Sequence, residues 1–198
     1  MTTWTSKVAF VGASLALTSA CQPTGALSFA AAPGEQVTRV SLAAGNVQLV
    51  APFGYCVDER SVKVRATGSF AMLARCDTLG VRGFFAAQDL AVITVTTVST
   101  DTTSQPTAKE LAASAAPATV LEQKTHQGLP FVRLTGDAHE VDGASPEHWR
   151  SAFVVNGQLV GLALYANDGS LALTDEGALV LSELASQTRK TSVTKPQG

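Results

Sequence analysis

The chain contains 198 residues, of which 45% are hydrophobic, and its 14 Lys and Arg against 16 Asp and Glu give a formal net charge of −2. A slightly acidic chain does not offer the positive surface that binds phosphate groups, so we expect no nucleic acid as a partner. The length allows one domain with a substantial hydrophobic core, and no repeat of fixed period indicates a solenoid.

Residues 1–20 have the organisation of a secretory signal peptide. Lys7 is their one charged side chain. The apolar run that follows, residues 8–17, is about ten residues long, whereas a helix across a bilayer needs roughly 20. Small residues then lead to Cys21, so that cleavage after Ala20 satisfies the small-x-small rule. We therefore expect residues 1–20 to be removed on export.

The segment "LTSAC", residues 17–21, resembles the lipobox of bacterial lipoproteins, although Thr18 stands where that family usually has Leu. The resemblance implies that Cys21 is acylated and becomes the first residue of the mature protein, attached to a membrane through its lipid. Because Gln22 rather than Asp follows, it also implies delivery to the outer membrane, facing the periplasm. The alternative is an ordinary signal peptide, in which Cys21 carries no lipid.

The remainder of the chain divides into three segments. Residues 21–36 are rich in Ala, Pro and Gly without a hydrophobic period, so we predict a flexible tether that spans roughly 20 Å on average. One globular domain is predicted over residues 37–190. The polar residues 191–198 are predicted to form a disordered tail.

The first half of the domain is predicted to consist mainly of strands. "VTRVSL" and "VQLVAP" flank "AAGN", which predicts a hairpin. Asp58 is suited to cap a short helical turn that ends by Gly68. Alternating apolar residues predict a strand over 69–76, and the β-branched run over 90–98 predicts a central strand covered on both faces.

The second half begins with a polar loop, residues 99–106, and a helix. Thr107 and Glu110 have the spacing of a capping box at its start, and Pro117 ends it. Two strands that meet at Gln127 and Gly128 follow.

The clearest local unit is a hairpin before the last helix. Asn156-Gly157 is the preferred dipeptide of a type I′ turn. The helix is predicted to begin after Thr174 and to pack Leu181 and Leu184 on the hairpin. The predicted core of the hairpin consists of Phe153, Val155, Leu159 and Leu162.

About seven strands and two or three helices, joined by hairpins without regular β–α–β alternation, predict an α+β fold with helices packed on an antiparallel sheet. The element order over residues 90–190, with "FVVNGQLVGLAL" before an amphipathic helix, resembles the PsbP and Mog-type domains, which also occur among bacterial lipoproteins. The stretches "APFGYCVD" and "SFAMLARC" resemble a family of small exported bacterial proteins to which no function is assigned. Neither resemblance implies a catalytic residue.

Cys56 and Cys76 remain once Cys21 is assigned to the anchor. An exported chain meets an oxidising compartment, in which an even pair of cysteines indicates a disulfide. Such a bond stabilises the fold by about 3 kcal/mol on the chain-entropy model. The alternative is a reactive cysteine pair, but the C-x-x-C spacing of such pairs is absent.

"DAHEVDGASPEHW" holds the only cluster of metal-ligand types in the sequence. Its weak candidates for Zn²⁺ or Cu²⁺ are Asp137, His139, Glu147 and His148. Because Gly143 stands where H-E-x-x-H requires its second His, and because Asp, Gly, Ser and Pro are typical of loops, we expect neither a metal nor a cofactor. Serine-hydrolase, phosphate-loop and dinucleotide motifs are absent too, so we expect no enzyme.

These features predict a non-enzymatic, lipid-anchored envelope protein that binds or stabilises another envelope component. Two alternatives stay open: an envelope lipoprotein that binds a small ligand or a metal, and an enzyme of an unrecognised type. The aromatic residues Phe53, Tyr55 and Phe84-Phe85 are candidates for a pocket or an interface, with burial in the core as the alternative.

Overall fold

The computed structural model of the chain describes residues 36–65, 67–79, 90–136, 141 and 143–194. The predicted signal peptide, Cys21 and most of the tether lie outside these residues. The elements are β1 (Arg39–Leu42), β2 (Val47–Val50), β3 (Tyr55–Arg65), β4 (Gly68–Arg75), β5 (Ala91–Ser99), α1 (Ala108–Ser114), β6 (Thr119–His126), β7 (Leu129–Thr135), β8 (His148–Val155), β9 (Gln158–Ala166) and α2 (Asp175–Thr194).

Seven strands form one antiparallel sheet in the order β3-β4-β5-β9-β8-β7-β6, and β1 pairs with β2 in a separate hairpin. The two α-helices among the described residues lie on this sheet, which confirms the predicted α+β class. The predicted central strand is β5, which lies between β4 and β9. The prediction that both of its faces are covered is wrong, because Thr96 and Val98 are exposed. Neither described helix combines the length and the apolar composition that a membrane crossing requires.

Two hairpin turns were predictable from their dipeptides. Asn156 and Gly157 have φ of 48° and 68°, and Gln127 and Gly128 have φ of 49° and 73°. Positive φ at both central positions is the condition for a type I′ turn, whose twist matches that of the flanking strands. These turns place β6 beside β7 and β8 beside β9.

One face of the sheet, here called the α2 face, carries the main core. Phe153 and Val155 of β8 and Leu162 of β9 are buried there with Leu181 and Leu184 of α2, as predicted. The β1–β2 hairpin contributes its own apolar side chains to the same core: Leu42, Val47 and Leu49.

The predicted core position of Leu159 is wrong. Leu159 pairs with Val154, and Val160 pairs with Phe153. Because directly opposed residues of a sheet share a face, Leu159 lies on the face opposite to Phe153. That second face is called the α1 face below, since Leu111 of α1 and Ala115, the residue that follows the helix, pack on it against Val132 and Leu134.

The helical turn predicted at Asp58 is also wrong, because the segment is part of β3. The pairing of β3 with β4 shifts register between Asp58 and Lys63. At that irregularity the Asp58 carboxylate accepts hydrogen bonds from the backbone N and from Nε of Arg60, at 3.2 and 3.0 Å. The local bond that suggested a helix cap therefore stabilises a bulge.

The last helix extends beyond its predicted boundary at residue 190, to Thr194. Ser192 explains the extension, because its hydroxyl donates to the Thr188 carbonyl and accepts from the backbone N of Gln48, at 2.7 and 2.9 Å. Thr188 Oγ1 accepts from the backbone N of Val50 in the same way, at 3.1 Å. Both helical hydroxyls thus satisfy the free edge of β2.

A disulfide joins Cys56 and Cys76, whose Cα atoms lie 4.9 Å apart. It links the start of β3 to the residue that follows β4. The predicted pair is therefore present in the structure.

Candidate binding groove

A groove of about 330 Å³ crosses β5, β9 and β8 on the α1 face. Its floor consists of two neighbouring rows of side chains, which the strand register sets across the sheet. One row contains Thr96, Gly161 and Ala152, and the other contains Thr94, Ala163 and Arg150. Because most of these residues are small, the floor lies lower than the rows on either side of it.

The rows that bound the floor carry larger side chains. Val98 and Leu159 oppose each other at one end, and Tyr165 lies opposite His148 at the other. Phe70 and Met72 continue the two floor rows on β4. Leu111 of α1 lines the groove above the sheet. The result is a trough with apolar walls and a partly polar floor.

Gly161 keeps the centre of the floor open. A Cβ atom at this position would lie 2.8 Å from Thr96 Oγ1, which is closer than such contacts allow without movement of the threonine. Glycine at position 161 therefore leaves room for the side chain of Thr96, its paired residue on β5, without raising the floor of the groove.

Helix α1, whose Leu111 lines the groove, is stabilised at its N-terminus by a capping box. Thr107 and Glu110 form the predicted capping box: Thr107 N donates to Glu110 Oε2 at 2.8 Å, and Glu110 N donates to Thr107 Oγ1 at 3.2 Å. The hydrogen bonds that the backbone N and the hydroxyl of Thr107 donate to the Glu110 carboxylate hold the pKa of Glu110 below its usual value of 4.5. Gln105 fixes the preceding loop, since its side-chain amide bonds to both the N and the O of Val154 at 2.9 Å.

Arg150 is the charged side chain on the floor, and His148 positions it. Arg150 Nε donates to His148 Nε2 at 3.2 Å, while His148 Nδ1 lies 3.2 Å from the carbonyl oxygen of Pro146. In the tautomer that carries its proton on Nδ1, the ring donates to the Pro146 carbonyl and accepts from Arg150 through Nε2. The imidazole stacks on Tyr165 with ring centroids 5.1 Å apart, and both rings are fully buried. The guanidinium is thus held by a rigid support.

The weak metal candidates are not brought together among the described residues. Both ring nitrogens of His148 have partners, and Glu147 Oε2 lies 3.7 Å from Arg133 Nη1. Asp137 and His139 lie outside the described residues. In the part of the chain that the structure describes, no group of three or more His, Cys, Asp or Glu is placed to hold a metal ion.

Of the aromatic residues considered as candidates for a pocket or an interface, Tyr55 is buried and Phe53 is exposed. Tyr55 belongs to the core of the α2 face, and its burial raises the pKa of the phenol against the opposing effect of the Arg75 charge. Phe53 is 93% exposed, in the loop between β2 and β3. Phe84 and Phe85 lie outside the described residues. The core interpretation therefore holds for Tyr55 and not for Phe53.

The groove combines threonine hydroxyls, one guanidinium and apolar walls. The apolar walls and the threonine hydroxyls are suited to bind a ligand or a side chain that has an apolar body and a hydrogen-bonding group. Sequence reasoning did not single out Arg150, because an arginine at an alternating position of a strand is ordinarily a solvated side chain.

No protein-family model matches the chain, and no curated protein matches it. Two solved structures that it resembles are of Mog1. One is a single-residue variant of the protein Mog1, with 14% identity and a TM-score of 0.45 over 78% of this chain and 97% of that chain. The other is the Saccharomyces cerevisiae Ran-binding protein Mog1p, with 13% identity and a TM-score of 0.45 over 78% and 96%. The α+β class itself rests on the sheet and the helices of this chain.

Proposed function

We propose that the protein is a lipid-anchored component of the bacterial envelope that binds another envelope protein in the groove on the α1 face, without catalysing a reaction. The observation that carries the proposal is the trough over Thr94, Thr96 and Gly161, with Arg150 held at its floor. Its support residues are buried and hydrogen-bonded, so the surface is organised before a partner arrives. Such preorganisation reduces the entropic cost of binding.

The anchor is proposed from the sequence. The short apolar run, the small residues before Cys21 and the Ala-, Pro- and Gly-rich stretch after it are consistent with a domain tethered to a membrane by lipid. A tether of roughly 20 Å leaves the domain close enough to the bilayer to meet other envelope proteins.

In-cell photocrosslinking tests the binding site. A photoreactive amino acid at Thr96, which is exposed in the groove, is expected to capture a defined partner. The same amino acid at Glu176, an exposed residue of α2 on the opposite face of the sheet, is the matched control. Identical products from the two positions, or products from Glu176 alone, would contradict the assignment of the groove.

A small ligand is the second candidate, and the volume of the groove favours it. About 330 Å³ lies at the lower end of the range of small-molecule sites. Native mass spectrometry of gently purified protein separates the two candidates. A bound mass that disappears when Thr96→Trp fills the groove would support the ligand, and capture of a protein at Thr96 would support the partner.

A further inference from the structure

Two exposed hydrophobic side chains lie at one end of the sheet. Among the described residues, Phe53 and Leu171 are the most exposed of the large hydrophobic side chains, at 93% and 73%. Phe53 precedes the start of β3, and Leu171 follows the end of β9. The antiparallel pairing sets the start of β3 beside the end of β4, and the end of β9 beside the start of β5. We call this end of the sheet, where β3 begins at Tyr55, the Tyr55 end.

The predicted tether joins the domain at the Tyr55 end. The carbonyl oxygen of Thr38 accepts a hydrogen bond at 2.8 Å from the backbone N of Ala51, which lies in the loop that carries Phe53. Residues 21–36 therefore lead into the domain beside that loop. A lipid on Cys21 would hold this end of the domain, rather than the opposite end, close to the bilayer.

The loop that carries Phe53 is held in place on both sides. The backbone N of Phe53 donates to Glu183 Oε1 of α2 at 3.1 Å. The backbone N of Cys76 donates to the carbonyl oxygen of Gly54 at 3.0 Å, and Cys76 is joined to Cys56 by the disulfide. Because the backbone is already ordered, covering the exposed ring costs little further conformational entropy.

Leu171 is fixed in a similar way. Its carbonyl oxygen accepts from both N and Oγ1 of Thr174, at 3.0 and 2.6 Å. The carbonyl oxygen of Thr174 accepts in turn from the indole of the buried Trp149 at 2.9 Å. The two exposed apolar side chains thus occupy defined positions at the same end of one domain.

The charges beside these side chains do not favour an anionic surface. Asp168 is exposed in the loop after β9, and Glu183 accepts from the loop before β3. Arg75, at the end of β4, is paired with Asp77 at 3.1 Å. Attraction to anionic headgroups requires clustered Lys and Arg. A contact made by this end is therefore apolar, and zwitterionic lipid is the surface that suits it.

We propose that the Tyr55 end of the sheet rests on the bilayer, with Phe53 and Leu171 inserted at the boundary between headgroups and acyl chains. The inference rests on the lipid anchor of the proposed function. A short flexible tether raises the effective concentration of the domain at the bilayer to roughly the millimolar range, so a contact too weak for an untethered domain suffices. Two insertion points and the tether together fix the direction in which the groove over Thr96 faces.

Quenching by brominated lipid tests the contact. The full chain, purified from membranes in detergent, is reconstituted into phosphatidylcholine vesicles with or without bromine on the acyl chains. Trp149 is the one tryptophan after the predicted cleavage site, and it is fully buried. Phe53→Trp and Leu171→Trp therefore each add one exposed reporter.

Each added indole is expected to lose about half of its emission in the brominated vesicles, because a side chain at the headgroup–acyl boundary lies within reach of the bromine atoms. High salt should leave this loss unchanged, since the contact is apolar. Val64→Trp is the matched control. Val64 is an exposed apolar residue at the other end of β3, where it pairs with Ser69, and its indole should keep its emission.

Mass spectrometry of the same preparation separates the anchor from the contact. A lipid on Cys21 with equal emission in both kinds of vesicle would overturn the contact and leave the anchor in place. Quenching of Val64→Trp as strong as that of Phe53→Trp would also overturn it, since the domain would then have no preferred orientation. An unmodified Cys21 would refute the anchor and, with it, this inference.

Discussion

Gly177 in the first turn of α2 lies directly against Trp149 of β8. A Cβ atom at Gly177 would come within 3.0 Å of Trp149 Cδ1 and would overlap the carbonyl oxygen of Ala172. The indole also donates through Nε1 to the carbonyl oxygen of Thr174 at 2.9 Å, and Lys124 Nζ lies 4.5 Å from the centroid of its ring. The buried Trp149 side chain thus fixes the position of the first turn of α2.

Replacing Gly177 is therefore expected to destabilise the fold. Gly177→Ala forces a backbone carbonyl or the buried indole to move, and we expect a loss of about 1–3 kcal/mol in the free energy of unfolding. Urea unfolding measures it. Ser186→Ala, at an exposed position of the same helix, should change the free energy by no more than about 0.5 kcal/mol. Equal stability of the two variants would show that the helix start is free to shift.

The two faces of the β8–β9 hairpin give a second prediction. Phe153 is fully buried under α2, so Phe153→Ala is expected to cost about 3–5 kcal/mol. Leu159 lies on the other face, at the wall of the groove, so Leu159→Ala should cost about 1 kcal/mol. Thermal or urea unfolding distinguishes them, and the reverse order would mean that the strand register is different.

The acid dependence of stability has a defined sign at Asp175. The hydrogen bond from Lys124 lowers the pKa of Asp175 below its usual 3.8. A folded-state pKa below the unfolded value means that this pair stabilises the fold above the unfolded pKa and stops doing so as the pH falls through the folded pKa. Because Asp175 is exposed, the effect is modest.

We expect Asp175→Asn to be less stable than the wild type at about pH 6, and we expect this difference to be smaller at about pH 2. Urea unfolding at both pH values measures the difference. Asp101→Asn, in an exposed loop, is the control and should show no such gap. A gap that widens toward acid would contradict the assigned direction.

Much of the fold follows from local patterns, and the groove does not. Asn156-Gly157 specifies its turn, and Thr107 with Glu110 specifies the start of α1, because each acts within a few residues. The helical turn predicted at Asp58 was wrong because an aspartate that bonds to the backbone two residues on can cap a helix or stabilise a bulge. Only the pairing of β3 with β4 decides between the two. Thr96, Gly161 and Ala152 lie on three strands, so register alone makes them neighbours.

Membrane attachment through Cys21 is a separate prediction. Two or three acyl chains anchor a protein stably where one does not, so the chain should fractionate with membranes and be released by detergent rather than by salt. Cys21→Ser should leave the chain uncleaved, or cleaved elsewhere and free in the periplasm. Wild-type protein in the soluble fraction with an unmodified Cys21, identified by mass spectrometry, would contradict the anchor.

Filling the groove on the α1 face tests the proposed binding function most directly. The measurement is the affinity of Thr96→Trp for the partner captured at Thr96, beside Glu176→Trp, which adds the same indole to an exposed position of α2 on the opposite face of the sheet. Closing the trough is expected to weaken binding about tenfold or more, with the melting temperatures of both variants near that of the wild type. Unchanged affinity in a folded Thr96→Trp protein would show that the partner binds elsewhere.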